Sequence, residues 1–202
     1  MTSPDPVDFF ERQFQHQIAR ADFALNPFEQ LALPHVAGSV LDLGCGLGNL
    51  SLEAARRGCS VTAVDASPTA VERLRAAALQ AKLPLAALQA DLGSFRIGQN
   101  YDTIIAIGLL MFFRKERALA LLRQIGQRVN PGGRAIVNIL VEGTTYLGMF
   151  KPGEYYLFGA GELEQAFTGW ALLVARHDSF PAPESTRKEF ATVIAQKARN
   201  QV

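Results

Sequence analysis

Cysteine, histidine and any excess of charge are what this 202-residue chain has least of, and each shortage closes off a class of function. Cys45 and Cys59 are too few for a disulfide framework, and neither has a histidine or second cysteine at metal-ligand spacing. No metal is therefore expected, and both cysteines read as packing residues, as do His16, His35 and His177 where they are not simply on the surface. With 20 basic against 19 acidic residues, the chain carries no electrostatic footprint for nucleic acid or an anionic membrane. The run Arg114-Lys115-Glu116-Arg117 reads as the solvated first turn of a helix. No stretch approaches the roughly 18 consecutive apolar residues of a membrane span. Met1–Pro6 lacks a basic segment leading into an apolar one, so the expectation is a cytoplasmic protein without a signal peptide. There is no internal repeat and no low-complexity segment, and the length suits one domain with a large core.

What is present is concentrated in residues 39–50, Ser-Val-Leu-Asp-Leu-Gly-Cys-Gly-Leu-Gly-Asn-Leu. Val40, Leu41 and Leu43 form a short apolar run typical of a buried parallel strand, and it stops at glycines 44, 46 and 48. Asn49 to Arg57 is made of good helix formers, with Gly58 placed to end it. Glycines between a strand and a helix let backbone approach a ligand closely, and the helix N-terminus behind them offers unpaired N–H groups. A dinucleotide fingerprint would put its third glycine where Asn49 stands, which argues against a nicotinamide enzyme.

Along the chain, Val7, Phe10, Phe14, Ile18 and Phe23 predict an amphipathic helix within residues 5–24, starting at Asp5 or Pro6, and a second short helix runs from Pro27 to before Pro34. Strands are expected at Ser60–Val64, Leu83–Gln89, Tyr101–Ile107 and Arg134–Leu140. Helices are expected from Pro68, capped by Ser67, to about Ala81, and over Arg114–Val129. Asn130–Gly133 reads as a turn. This alternation argues a parallel sheet with helices on both faces, whose ligands sit beyond the carboxyl ends of the strands. Beyond residue 141 the pattern changes. A glycine- and aromatic-rich loop spans 142–158, followed by a short helix at Gly161–Phe167 and strands at Trp170–Ala175 and Phe190–Ala198. Residues 178–185 between them read as a closing loop that makes the last strand antiparallel.

Two further acids fall at the sheet edge of the glycine loop. Asp65 ends the second strand, where a carboxylate can accept from both hydroxyls of a ribose or cap the following helix. Asp91 ends the third, where it can accept from an adenine amino group or cap a turn, and Asp42 can meet an ammonium directly or through water. With its acid two positions ahead of Gly-x-Gly-x-Gly, the loop resembles motif I of class I S-adenosylmethionine-dependent methyltransferases. More narrowly, Tyr101–Ile105, Leu110-Met111-Phe112-Phe113, Pro131-Gly132-Gly133, Gly161-Glu162-Leu163, Gly169-Trp170 and Phe190-Ala191-Thr192 are similar to the TehB-type tellurite-resistance methyltransferases.

The resemblance implies an α/β fold, a doubly wound, seven-stranded, mostly parallel Rossmann-like sheet with an antiparallel last strand and N-terminal helices. It implies a single domain, with helices at 1–37, a cofactor core at 38–140, and a substrate-side cover with closing strands at 141–202. It implies S-adenosyl-L-methionine as cofactor and S-adenosyl-L-homocysteine as product, held by Asp42, Gly44, Cys45, Gly46, Gly48, Asp65, Ala66, Ser67, Asp91, Leu92 and Ile107. The expected partner is a small-molecule methyl acceptor, in a monomer or homodimer, and the alternative kept open is a cofactor-binding protein without activity.

The family carries a His-Arg pair before its last strand. Here that loop reads Ser179-Phe180-Pro181-Ala182-Pro183-Glu184, with Arg187 the basic residue in the neighbourhood and His177 placed at the end of the preceding strand. Nor is there the Asn-Pro-Pro-Tyr that amine-methylating enzymes carry after strand four. Gly108–Phe113 stands there, with Leu109, Leu110 and Phe113 expected in the core and Met111 and Phe112 on the substrate side with Tyr155 and Tyr156. Those residues suggest a dry pocket for a soft nucleophile such as a thiol, selenium or tellurium species, a small organic acid remaining open as acceptor. Residues 142–160 are expected to form a movable cover, with glycines at 143, 148, 153 and 159.

Overall fold

The strands between residues 39 and 140 are apolar on both sides, so each needs a helix layer above and below it, and that is how the chain is arranged in the computed structural model, which describes residues 6–199. The elements are α1 (Pro6–Ala19), α2 (Pro27–Ala32) with a 3-10 turn at Leu33–His35, β1 (Ser39–Leu43), α3 (Asn49–Arg56), β2 (Ser60–Asp65), α4 (Pro68–Gln80), β3 (Leu85–Gln89), β4 (Tyr101–Ile107), α5 (Lys115–Arg128), β5 (Val129–Leu140), α6 (Glu162–Gln165), β6 (Ala171–Ala182) and β7 (Thr186–Gln196). They build one seven-stranded sheet in the order β3-β2-β1-β4-β5-β7-β6. The first five strands pair in parallel, and β7 runs antiparallel to both β5 and β6.

Alternation along each strand divides the core. Leu41, Leu43, Ile104, Val137 and Ile139 join the α5 side, while Val40, Val61, Ile105, Ile136 and Ile194 join the α3 and α4 side. A third cluster, Met111, Leu140, Met149 and Phe150, lies at the carboxyl end of the parallel strands. At the opposite end, Asp102 accepts from Ser39 N, Ser39 Oγ and Asn130 Nδ2, each at 2.8 Å, and ties β1, β4 and β5 together. The strand order reverses between β1 and β4, which puts the glycine loop at the switch point.

Several boundaries differ from the sequence expectations. The helix start at Asp5 and the segment before it lie outside the described residues, and α1 stops at Ala19 rather than reaching residue 24. The turn at 130–133 is drawn into β5 across an irregularity opposite Tyr101 and Thr103. The loop at 178–185 shrinks to Pro183-Glu184-Ser185, because β6 continues through Phe180, whose ring packs on Phe28 and Phe190. His177 accordingly sits inside β6, opposite Ala191, rather than at its end. The last strand starts four residues earlier than its aromatic residue suggests and ends at Gln196.

Candidate functional site

All three glycines of the loop adopt positive φ, 67° at Gly44, 53° at Gly46 and 72° at Gly48. At Gly48 a Cβ would stand 2.5 Å from Leu74 Cδ2, so the loop packs against α4 only because that position has no side chain. The loop is fastened to β2 by Gly44 N donating to Val64 O at 2.8 Å. Behind it α3 begins without a side-chain cap, and the Oδ1 atom of Asn49 is buried with no hydrogen-bond partner.

The acids divide by the donors that reach them. Asp65 is 9% exposed, and its two oxygens accept from Gly46 N at 2.8 Å and Ser67 N at 2.9 Å, which aims the carboxylate between the glycine loop and the start of α4. Burial raises its pKa against those hydrogen bonds. Asp42 is turned under α3, where Ser51 Oγ donates to it at 2.6 Å, and burial, with the Glu29 and Asp65 carboxylates nearby, pushes it up to about 7. Cys45 is buried between those acids and its thiol is pushed up by burial first and by them second, consistent with packing rather than reactivity. Asp91 is exposed and accepts from Gly93 N and Ser94 Oγ, both at 2.8 Å, so it caps its own turn and is held below the usual carboxylate range. Leu92 beside it is buried, Ile107 is half-buried at the end of β4, and Ala66 and Ser67 continue the edge at the end of β2.

The sequence left α1 and α2 open between simple packing and a flap over the ligand, and both reach the site. Glu11 of α1 accepts from Ser67 Oγ at 2.5 Å and from Thr69 Oγ1, and the Phe14 ring lies 3.2 Å from where a Gly46 Cβ would be. On α2, Glu29 completes a capping box with Asn26, and burial raises its pKa beside Asp42. The Asn-x-x-Glu spacing at 26–29 was the one available signal for Glu29. Glu11 had none, since Ser67 and Thr69, its partners at the site, are more than 50 residues away.

From Phe14 a run of rings leads away from the loop. Phe10 is 6.0 Å from Phe14 and 5.2 Å from Phe112, Phe112 is 5.1 Å from Phe150, and Phe150 stacks on Tyr155 at 4.7 Å. Met111, Phe112 and Tyr155 thus come together with Met149 and Phe150 in one packed apolar cluster. Tyr156 and Arg187 do not join them. Tyr156 packs on the main core, donates to Glu162 at 2.7 Å and has its phenol pushed up to about 12 by burial and that carboxylate, while Arg187 is exposed and pairs with Glu189 at 3.0 Å. Leu109 and Leu110 are core, with Phe113 packed against it. His177 faces outward to Glu164 at 3.1 Å.

A glycine loop at the β1/β4 switch point, with an acid at the end of β2 aimed across it, defines the Rossmann-like methyltransferase class. Residues 40–133, slightly under half of the chain, match the family described as methyltransferase domain. It is 26% identical over 165 residues to the probable S-adenosyl-L-methionine-dependent methyltransferase TehB of Haemophilus influenzae, covering 78% of this chain and 57% of that protein. It is also 26% identical over 199 residues to hemagglutinin 1 of Eikenella corrodens, covering 96% of this chain and 64% of that one. The chain therefore spans less than two thirds of the length of these curated relatives. The crystal structure of TehB from Haemophilus influenzae shares the fold, with a TM-score of 0.75 at 22% identity over 90% of this chain and 65% of the other.

Proposed function

We propose that this chain transfers the methyl group of S-adenosyl-L-methionine to a small, soft nucleophile, a thiol, selenium or tellurium species, beside the apolar cluster at the carboxyl end of the strands. The observation that carries the reading is that cluster, in which Met111, Phe112, Met149, Phe150 and Tyr155 are linked through Phe10 to the Phe14 ring that covers Gly46. Within that reading Gly44, Gly46 and Gly48 hold the cofactor's backbone-facing side, Asp65 accepts from its ribose, and Ala66, Ser67, Leu92 and Ile107 line the slot. The site fits such a molecule on two counts. Each Asp65 oxygen accepts one protein donor and keeps a lone pair for a hydroxyl, and the partnerless Asn49 oxygen beside Gly48 is an acceptor suited to an ammonium group.

The cofactor, when bound, supplies a methyl carbon already activated by its sulfonium sulfur. What remains for the protein is to hold a nucleophile in line with that carbon and to exclude water, effects worth up to about 7 to 11 kcal/mol in ideal intramolecular cases. Within this reading the cluster's side chains serve both ends, and aromatic faces favour positive charge. None of these side chains is a base of ordinary strength, which suits an acceptor that arrives deprotonated. An apolar wall costs a large polarisable sulfur, selenium or tellurium nucleophile less hydration than it costs an oxygen or amine nucleophile. Asp91 remains an adenine acceptor in this reading only if one of its oxygens serves both its turn and the ligand. Residues 6–199 are read as one domain acting as a monomer or homodimer.

A turnover panel tests the proposal by following S-adenosyl-L-homocysteine release with thiols, selenite, tellurite, small carboxylic acids, amines and tRNA. Release with thiols or the chalcogen oxyanions is the expected result. Release confined to amines or tRNA overturns it.

A further inference from the structure

Strand β6 is an open edge of the sheet, 12 residues long and paired on one side with β7. On β7, Arg187 O accepts from Thr145 N at 3.0 Å and Glu189 O from Val141 N at 2.9 Å, so the odd-numbered residues there turn their backbone groups toward the chain that follows β5. Lys188, Phe190 and Thr192 therefore bond Phe180, Asp178 and Arg176 opposite them on β6, and the N–H and C=O groups of Ala175, His177 and Ser179 point away from the sheet. A row of this kind is a template for another strand. Both its ends are closed to pairing, one by Pro181, which has no N–H, and the other by the irregularity between Leu172 and Val174. Between them, Val174, Arg176, Asp178 and Phe180 share one face, where Arg176 and Asp178 pair at 2.7 Å. His177 leaves the other face, toward Glu164.

We propose that β6 pairs antiparallel with β6 of a second copy of this chain, about a two-fold axis at His177, so that one continuous sheet runs through a homodimer. The charge pattern singles out both the partner and the register. With the axis at His177, Arg176 stands opposite Asp178 of the second copy and Asp178 opposite its Arg176, while Val174 meets Phe180 and Ala175 meets Ser179. An axis at Arg176 would set arginine against arginine, and one at Asp178 aspartate against aspartate. An axis at Ala175 or Ser179 would set each charge against an apolar residue, Val174 or Ala182 for Arg176 and Leu172 or Phe180 for Asp178. The charges thus block every neighbouring register and favour one. In that register Ala175, His177 and Ser179, whose backbone groups point outward, lie opposite Ser179, His177 and Ala175 of the second copy. Strand β6 runs parallel to β5, so the two-fold axis turns the carboxyl ends of the two sheets to opposite sides. With β4, β5 and β7 between β6 and the glycine loop of β1, pairing leaves both cofactor sites open.

Analytical ultracentrifugation of the 22.0 kDa chain over a concentration series should show a reversible monomer–dimer equilibrium with a Kd of about 1 to 100 μM, as suits a small interface of backbone bonds and a few side-chain pairs. Arg176→Asp alone and Asp178→Arg alone each set like charges opposite one another at two symmetric places, and each should weaken the dimer about tenfold or more. Mixing the two variants sets aspartate against arginine at both places and should restore the unmodified Kd as a heterodimer. His177→Pro removes the central donor from the open edge, as a proline already does at position 181, and leaves the bonds to β7 in place. It should abolish the dimer while S-adenosyl-L-homocysteine binding, read by calorimetry, stays unchanged and reports a folded chain. An unmodified chain that is monomeric at about 1 mM overturns the proposal. So does a dimer that both charge variants and His177→Pro retain, because its interface then lies elsewhere, and so does a pair of charge variants that fail to dimerise when mixed.

Discussion

Carboxylates at the glycine-loop edge differ in which donors reach them, and that difference sets what each does. Asp65 accepts two backbone N–H groups and still faces the slot, so Asp65→Ala should keep the sheet while weakening S-adenosyl-L-homocysteine binding by about 1.5 to 3 kcal/mol in calorimetry. An unchanged Kd in a folded variant would remove its ribose role. Asp42 instead faces Ser51 under α3, and its folded pKa of about 7 lies above its unfolded value. A carboxyl raised on folding binds more protons in the native state, so its contribution is fully present below the unfolded pKa, near 4, and is lost as pH rises through about 7. Denaturant unfolding at pH 5 and pH 8 should therefore show the unmodified chain losing more stability than Asp42→Asn between those values. The upper bound over that window is about 3 kcal/mol, two units between pH 5 and pH 7 at roughly 1.4 kcal/mol per pKa unit. Lettering alone made these acids equivalent candidates, because only the fold decides that Ser51 lies over one and the Gly46 N–H over the other.

Elements built on local signals were legible, and elements built on distant contacts were not. The β1-loop-α3 unit and the Ser67-Pro68 start of α4 carry their own turn and cap residues, and both stand where the spacing put them. The β6–β7 hairpin was legible, but the shortness of its loop was not, because the turn lacks the Asn-Gly signature. Glu184 and Ser185 hold φ of 60° and 56° with Thr186 N donating to Pro183 O, a type I′ arrangement filled by residues that resist it. Replacing the pair, Glu184→Asn with Ser185→Gly, should raise unfolding stability by about 1 to 2 kcal/mol, the cost of left-handed residues elsewhere. Helix α1 was visible as amphipathic, but its periodicity does not say what its apolar face meets. That face carries Phe10 against Phe112 and Phe14 over Gly46, with Glu11 fixed to Ser67 and Thr69. Phe14→Ala should speed cofactor dissociation in stopped-flow measurements by several-fold, since the ring is the outer wall of the loop. A rate unchanged from the unmodified chain would make α1 a bystander.

Across the whole molecule, two segments distant in sequence close over one sheet edge, and they are fastened differently. The segment after β5 is pinned where Glu142 N and Val141 N donate to Phe158 O and Glu189 O, both at 2.9 Å, and where Tyr156 N donates to Met111 O at 3.1 Å. Phe150 and Phe158 are fully buried within it. Residues 142–160 are thus held at both ends, and 147–154, which bears Gly148 and Gly153, lies between those ties with Met149 and Phe150 buried. Helix α1 has no fully buried side chain, and its polar ties run through one carboxylate to α4. Local stability follows the number of such fastenings, so α1 should exchange amide hydrogens faster than 142–146 and 155–158 in the free protein. Cofactor alone should slow exchange in α1, because it fills the space beneath Phe14. Slowing at 147–154 should appear only when an acceptor joins it, because Met149 and Phe150 belong to the Met111 cluster rather than to the glycine loop. Hydrogen exchange of the free, cofactor-bound and ternary states distinguishes the two closures. Simultaneous protection of both segments by cofactor alone would mean that they form a single cover and that the acceptor site is shaped before its acceptor arrives.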